Sequence, residues 1–137
     1  MSKAKKSAKI TPDGLCRCGS GRPYPACCQP WHNGRPAPTP EALMRSRYAA
    51  YALGKAAYIM RTTHPDSPHW QRETAVWQRD ILAFCRQTDF IGLQILVVGE
   101  DWVTFRAILR QGEQDASFTE RSRFARHQGM WKYVAGD

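Results

Sequence analysis

Four of the five cysteines fall within thirteen residues, Cys16-Arg-Cys-Gly-Ser-Gly-Arg-Pro-Tyr-Pro-Ala-Cys-Cys28, and the fifth, Cys85, stands far downstream. Two close thiol pairs joined by a glycine-rich reversal suit an ion that takes four soft ligands in a tetrahedron, as zinc does with thiolates at about 2.3 Å. Cys16, Cys18, Cys27 and Cys28 are therefore the expected ligands of one structural zinc. Gly19, Ser20 and Gly21 supply the reversal, because glycine enters positive φ without a Cβ penalty, and Pro23 and Pro25 stiffen the return limb. Two alternatives stand beside this set. One is a pair of disulfides, which suits a secreted chain. Here no apolar run follows the basic start and no stretch is apolar enough to span a membrane, so the chain is expected to be cytoplasmic, where thiols stay reduced. The other is His32, four residues past Cys28, taking the place of Cys28 as fourth ligand.

A site closed by four cysteines leaves no position for a reacting water, so its expected task is to organise a loop and not to catalyse. That loop carries Arg17, Arg22, Tyr24 and Trp31, residue types that anchor interfaces, and these are the expected partner contacts. A zinc bound by four thiolates has a formal charge of about −2, which Arg17 and Arg22 partly compensate.

The elements that must hold this loop read as α+β. Gln29 to Pro40 has four prolines and no periodicity, which predicts a linker. A first helix is predicted from Thr39, with its hydroxyl as cap, Pro40 at the first position, Glu41 at the positive end and Gly54 as the stop. Met44, Tyr48 and Tyr51 share one of its faces. A second helix is predicted near 56–63, ending before His64-Pro65, and a third near 71–86 with Trp77, Ile81, Phe84 and Cys85 in one stripe, Cys85 being read as a small buried apolar residue. Turn signals at Gly99-Glu-Asp101, Gln111-Gly-Glu-Gln114 and His127-Gln-Gly129 then divide four predicted antiparallel strands, near 90–98, 102–110, 116–126 and 130–134. Helices first and a meander afterwards predict helices packed on one face of a curled sheet. Arg121 and Arg123 share a strand face and are expected either to hold an anion or to pair with Glu100, Asp101 or Glu113.

Cys16 to Cys28 resembles the SEC-C motif, the zinc-binding tail module of the SecA preprotein translocase, with Cys27-Cys28 as its all-cysteine ending. The resemblance extends through Trp31-His32, Ala37 to Tyr51, His64-Pro65 and Glu120-Arg-Ser-Arg-Phe124 to the small bacterial YchJ family, which has no established reaction. It implies a division into a basic tail (1–12), a SEC-C loop (13–34) and an α+β cone (35–137) of the nuclear transport factor two and ketosteroid isomerase superfamily. Cones of this kind often hold a pocket between the long helix and the sheet. Arg47, Tyr48, Tyr51 and His64 are the expected pocket residues, with Arg45, Asp66, His69 and Asp80 as further polar candidates, and no catalytic residue is assigned.

By analogy with SecA, the expected role is docking of a cytosolic chaperone, ribosome or translocase assembly through the zinc loop. The alternatives are a small-molecule or catalytic cone pocket with zinc purely as a staple, and non-specific nucleic-acid binding. No G-x-x-x-x-G-K-[ST] sequence is present, so a translocation motor is excluded. The formal charge is +8, but Lys3, Lys5, Lys6 and Lys9 concentrate half of it in the tail, where it would give weak, salt-dependent attraction to RNA or anionic lipid.

Overall fold

The computed structural model describes residues 14–137; the expected basic tail, 1–12, lies outside them. The chain opens with the cysteine loop, which closes as a small hairpin through Cys16 N–H to Arg22 O at 2.8 Å and Tyr24 N–H to Gly14 O at 3.1 Å. Gly19 and Gly21 turn it at φ 81° and 83°, the left-handed region where a Cβ would be strained. A 3₁₀ turn, Tyr24–Ala26, and a four-residue helix α1, Gln29–His32, follow. Helix α1 lies where a linker was expected. Pro30 explains it, since proline near a helix start fixes φ and gives up an N–H that would have had no partner there.

Helix α2, Pro40–Leu53, has the predicted ends: Thr39 Oγ1 accepts from Ala42 N–H at 3.1 Å, and Gly54 stops it in the left-handed conformation at φ 75°. Helix α3, Ala56–Arg61, stops short of Thr63, and α4, Thr74–Gln87, begins three residues later than its stripe suggested. Trp77 and Ile81 of α4 are buried, whereas Phe84 is exposed and Cys85 only half-buried against the core. Cys85 is thus less buried than its place in the stripe implied.

The strands are β1, Asp89–Val98; β2, Trp102–Gln111; β3, Gln114–Asp115; β4, Phe118–His127; and β5, Met130–Gly136. They form an antiparallel sheet of order β1-β2-β4-β5 with the short β3 also on β2. The sequence predicted four strands; the extra one, β3, lies just ahead of the predicted third, and Ser117 separates it from β4. Its Oγ accepts from Leu109 N–H at 3.0 Å in place of a ladder partner, cutting β3 from β4. Register shifts at Ile91, at Leu96 and between Arg123 and Phe124 bend the sheet. On β2 the alternation holds: Val103, Phe105, Ala107 and Leu109 all point inward, at most 4 % exposed, against Leu43, Met44 and Tyr48 of α2 and Trp77 and Ile81 of α4. The Arg121 and Arg123 pairing is different from that expected. Both guanidiniums reach Asp137, at 3.4 and 3.5 Å, because β5 runs antiparallel to β4 and brings the end of the described chain alongside them.

Candidate functional site

Helix α2 carries two stripes with separate duties. Arg45, Ala49 and Leu53, spaced four apart, face the cysteine loop, and Met44, Arg47, Tyr48 and Tyr51 line a cavity on the other side.

On the first side the four sulfurs of Cys16, Cys18, Cys27 and Cys28 lie within 4.8 Å of one another, all buried. Ligand sulfurs about 2.3 Å from one tetrahedral centre stand about 3.8 Å apart. The observed Cys18–Cys27 and Cys27–Cys28 separations, 3.6 and 3.9 Å, fit that arrangement. The four buried cysteines are positioned to bind a metal ion. Crowding divides their protons. Hydrogen bonding, first from Cys16 and then from Cys28, holds the Cys18 thiol far below its ordinary range, while the bond to Cys18 is the main cause that pushes Cys16 up to about 11. Cys28 is likewise driven upward by its bonds to Cys16 and Cys18. A metal ion bound here would displace these protons and leave Cys16, Cys18, Cys27 and Cys28 as thiolate ligands. Ser20 Oγ, 3.1 Å from Cys27 Sγ, and the Arg22 guanidinium, 3.9 Å from it, are placed to donate to a thiolate there.

His32 is not a member of this cluster. Its Nε2 faces the Ser46 carbonyl at 2.8 Å and its Nδ1 meets the Tyr24 hydroxyl at 2.7 Å. The carbonyl can only accept, so Nε2 carries the hydrogen and Tyr24 donates to Nδ1. Burial, more than any charge, pushes the ring below its ordinary pKa. Tyr24, expected on the surface, is therefore buried, its hydroxyl spent on His32. Arg17 is half-buried and donates to Phe90 O of β1 at 3.0 Å, and Arg45 donates to Cys18 O at 3.1 Å. Arg22 stays exposed and Trp31 is half-buried.

On the second side is a cavity of about 390 Å³ between α2, α4 and the sheet. Arg47, Tyr48, Tyr51, His69 and Asp80 line it. His64 does not. Its N–H bonds Tyr133 O at 2.8 Å, and the extended chain there turns Thr63 inward and His64 outward against His127. Arg45 and Asp66 also lie elsewhere, the first toward Cys18 and Glu41 and the second on the surface beside His64. Arg47 is 7 % exposed, and its Nη1 donates to Ile59 O, Thr62 Oγ1 and Thr63 Oγ1 while its guanidinium lies 4.6 Å from the Tyr133 ring centre. Burial pushes Tyr48 up to about 12 and raises Tyr51 and Tyr133 as well, so these phenols stay protonated.

Sequence reasoning missed Thr63, Glu120, Ser122 and Tyr133 as cavity residues. A signal for Glu120 was present. It alternates with Phe118, Ser122 and Phe124 on the inward face of β4, where a carboxylate among apolar neighbours is unusual.

A cone of the NTF2-like kind joined to a SEC-C cysteine loop is the class that this fold and site define. The family described as "YchJ, middle NTF2-like domain" matches residues 39–136. A UPF0225 protein of Deinococcus radiodurans is 48% identical over 121 residues, covering 87% of this chain and 85% of that protein. A UPF0225 protein of Vibrio parahaemolyticus is 35% identical over 128 residues, covering 88% of this chain and 73% of that one. The chain belongs to this YchJ-like UPF0225 family. Among solved structures, a SEC-C motif containing protein from Rhodopseudomonas palustris superposes with TM-score 0.74 at 38% identity, over 89% of this chain and 96% of that one. One from Psychrobacter arcticus has the same fold, with TM-score 0.69 at 22% identity over 92% and 82% of the two chains. No described helix is long and apolar enough to cross a membrane.

Proposed function

We propose that this protein binds a small molecule in the cone cavity and that the SEC-C loop, holding one zinc through Cys16, Cys18, Cys27 and Cys28, is the staple that fixes the cavity wall. The observation that carries this reading is the cavity itself. About 390 Å³ is ligand-sized, its walls are mostly aromatic and aliphatic, and a few polar groups converge on it from α2, β4 and β5. The loop's own chemistry supports the staple. Arg17 and Arg45 are spent on Phe90 and Cys18 carbonyls, which ties the loop to β1 and α2, the two elements that carry Phe90, Tyr48 and Tyr51. Docking of a cytosolic protein assembly through the loop takes second place, since Tyr24 is buried, Arg17 is spent on the Phe90 carbonyl, Trp31 is half-buried against the core and Arg22 alone of the expected contacts is exposed.

Native mass spectrometry of the gently purified protein should find one zinc and, on screening, small-molecule adducts that raise the melting temperature. Ala107, 2 % exposed on the cavity floor, provides the control: Ala107→Phe fills the space from β2. Adducts that persist unchanged in a folded Ala107→Phe protein would place binding elsewhere and sink the reading.

A further inference from the structure

The cavity is not electrically neutral in its walls. Three formally charged side chains line it: Arg47, Asp80 and Glu120. Arg47 is already committed, its Nη1 on three oxygens around the end of α3 and its guanidinium carbon over the Tyr133 ring. Glu120 is held from the opposite direction. Its Oε2 accepts from Ser122 Oγ at 2.7 Å and from the Tyr133 hydroxyl at 3.3 Å. Its carboxylate also occupies the space a side chain at residue 136 would take: a Cβ on Gly136 would collide with Glu120 Cδ and with both carboxylate oxygens. Gly136 thus makes room for the whole carboxylate and two donors fix its Oε2, while no hydrogen bond from a described residue reaches the other oxygen, Oε1. The remaining lining includes Trp77, Phe84, Phe90, Phe105 and Phe118, whose ring faces attract positive charge.

Resting on the cavity reading above, we infer that Glu120 is the specificity-determining residue of this site and that its ligand is a small organic cation, an amine with a flat apolar body. The ammonium donates to Glu120 Oε1, and the body lies among the aromatic walls. One positive and two negative side chains leave the lining with an excess of negative charge, in a protein whose formal charge is +8. The positive protein field therefore works against cation entry from a distance, and recognition has to come from this local carboxylate. A charge-assisted hydrogen bond in a site partly shielded from water is of the size that decides between ligands of equal shape.

The test uses two probes of nearly equal size and opposite charge, 1-naphthylmethylamine and 1-naphthylacetate, titrated calorimetrically at pH 7 into the zinc-loaded protein, Glu120→Gln and Gly136→Ala. The amine should bind the unaltered protein tighter than the acetate by at least about tenfold. Glu120→Gln, close to isosteric, should erase that preference while leaving the acetate at least as well bound. Gly136→Ala keeps the charge but displaces the carboxylate, and it should reduce the preference without any change of net charge. Equal binding of the two probes, or a preference that survives Glu120→Gln, overturns the assignment and leaves the cavity reading standing. If neither probe binds but other small molecules do, the amine class is wrong; if no small molecule binds at all, the cavity reading falls and this inference with it.

Discussion

Tyr48 shows how a single side chain reports on both faces of the long helix. Its ring walls the cavity edge-on to Phe90, with centroids 5.7 Å apart, while its hydroxyl is buried beside the Gly92 backbone and the Arg17 guanidinium without a hydrogen bond of sound geometry. A buried polar atom with no partner costs free energy that an apolar replacement does not. Tyr48→Phe should therefore leave the urea midpoint unchanged or raise stability by up to about 1 kcal/mol. A loss larger than about 1.5 kcal/mol would mean that the hydroxyl is engaged in solution. Had the phenol been a proton donor to a cavity ligand, the same change would also abolish binding; with Glu120 as the anchor, affinity for the amine probe should survive it.

Helix α2 is the element on which everything else is assembled, and its ends can be tested separately from its faces. Thr39→Ala removes the side-chain acceptor from Ala42 N–H and should cost about 1 kcal/mol, seen as a lower urea midpoint at constant m. An unchanged midpoint would show that packing against the sheet and the cysteine loop holds the first turn without its cap. This helix was readable in the sequence because its cap, proline, acidic first turn and terminal glycine are local signals within one stretch of chain. The cysteine cluster was readable for the same reason. What escaped was non-local. The break between β3 and β4 depends on Ser117 replacing a ladder bond to Leu109, and the burial of Tyr24 depends on a histidine eight residues away folding over it. His64 was expected in the cavity from the resemblance to pocket-bearing cones, whereas the bridge from Thr63 to Tyr133 decides which of the two neighbours faces inward. Glu120 had its periodic signal, but only the docking of β5 brings Tyr133 and Gly136 against it, beside its neighbour Ser122.

For the molecule as a whole, the metal loop and the cavity are joined through shared walls, so losing the ion should be felt beyond the loop. Leu53 and Ala49 of α2 pack on the four cysteines, and Arg17 ties the loop to β1. Strand β1 is an outer strand of the sheet, ten residues long, with Ile91, Leu96, Val97 and Val98 about half exposed. Where the loop passes, the Phe90 carbonyl is occupied by Arg17, and a Cβ on Gly19 would stand 3.4 Å from the Leu93 carbonyl. An unprotected apolar outer strand is a template for pairing with another chain. Stripping the ion with a chelator under reducing conditions should thus produce dimers and larger species in light scattering before the far-ultraviolet signal of the cone is lost. Unfolding without prior association would show that the loop does not shield the strand. Association on metal loss would make the thiol cluster a quality tag on each molecule: a copy without an ion would be sticky at one border and would leave the dispersed pool.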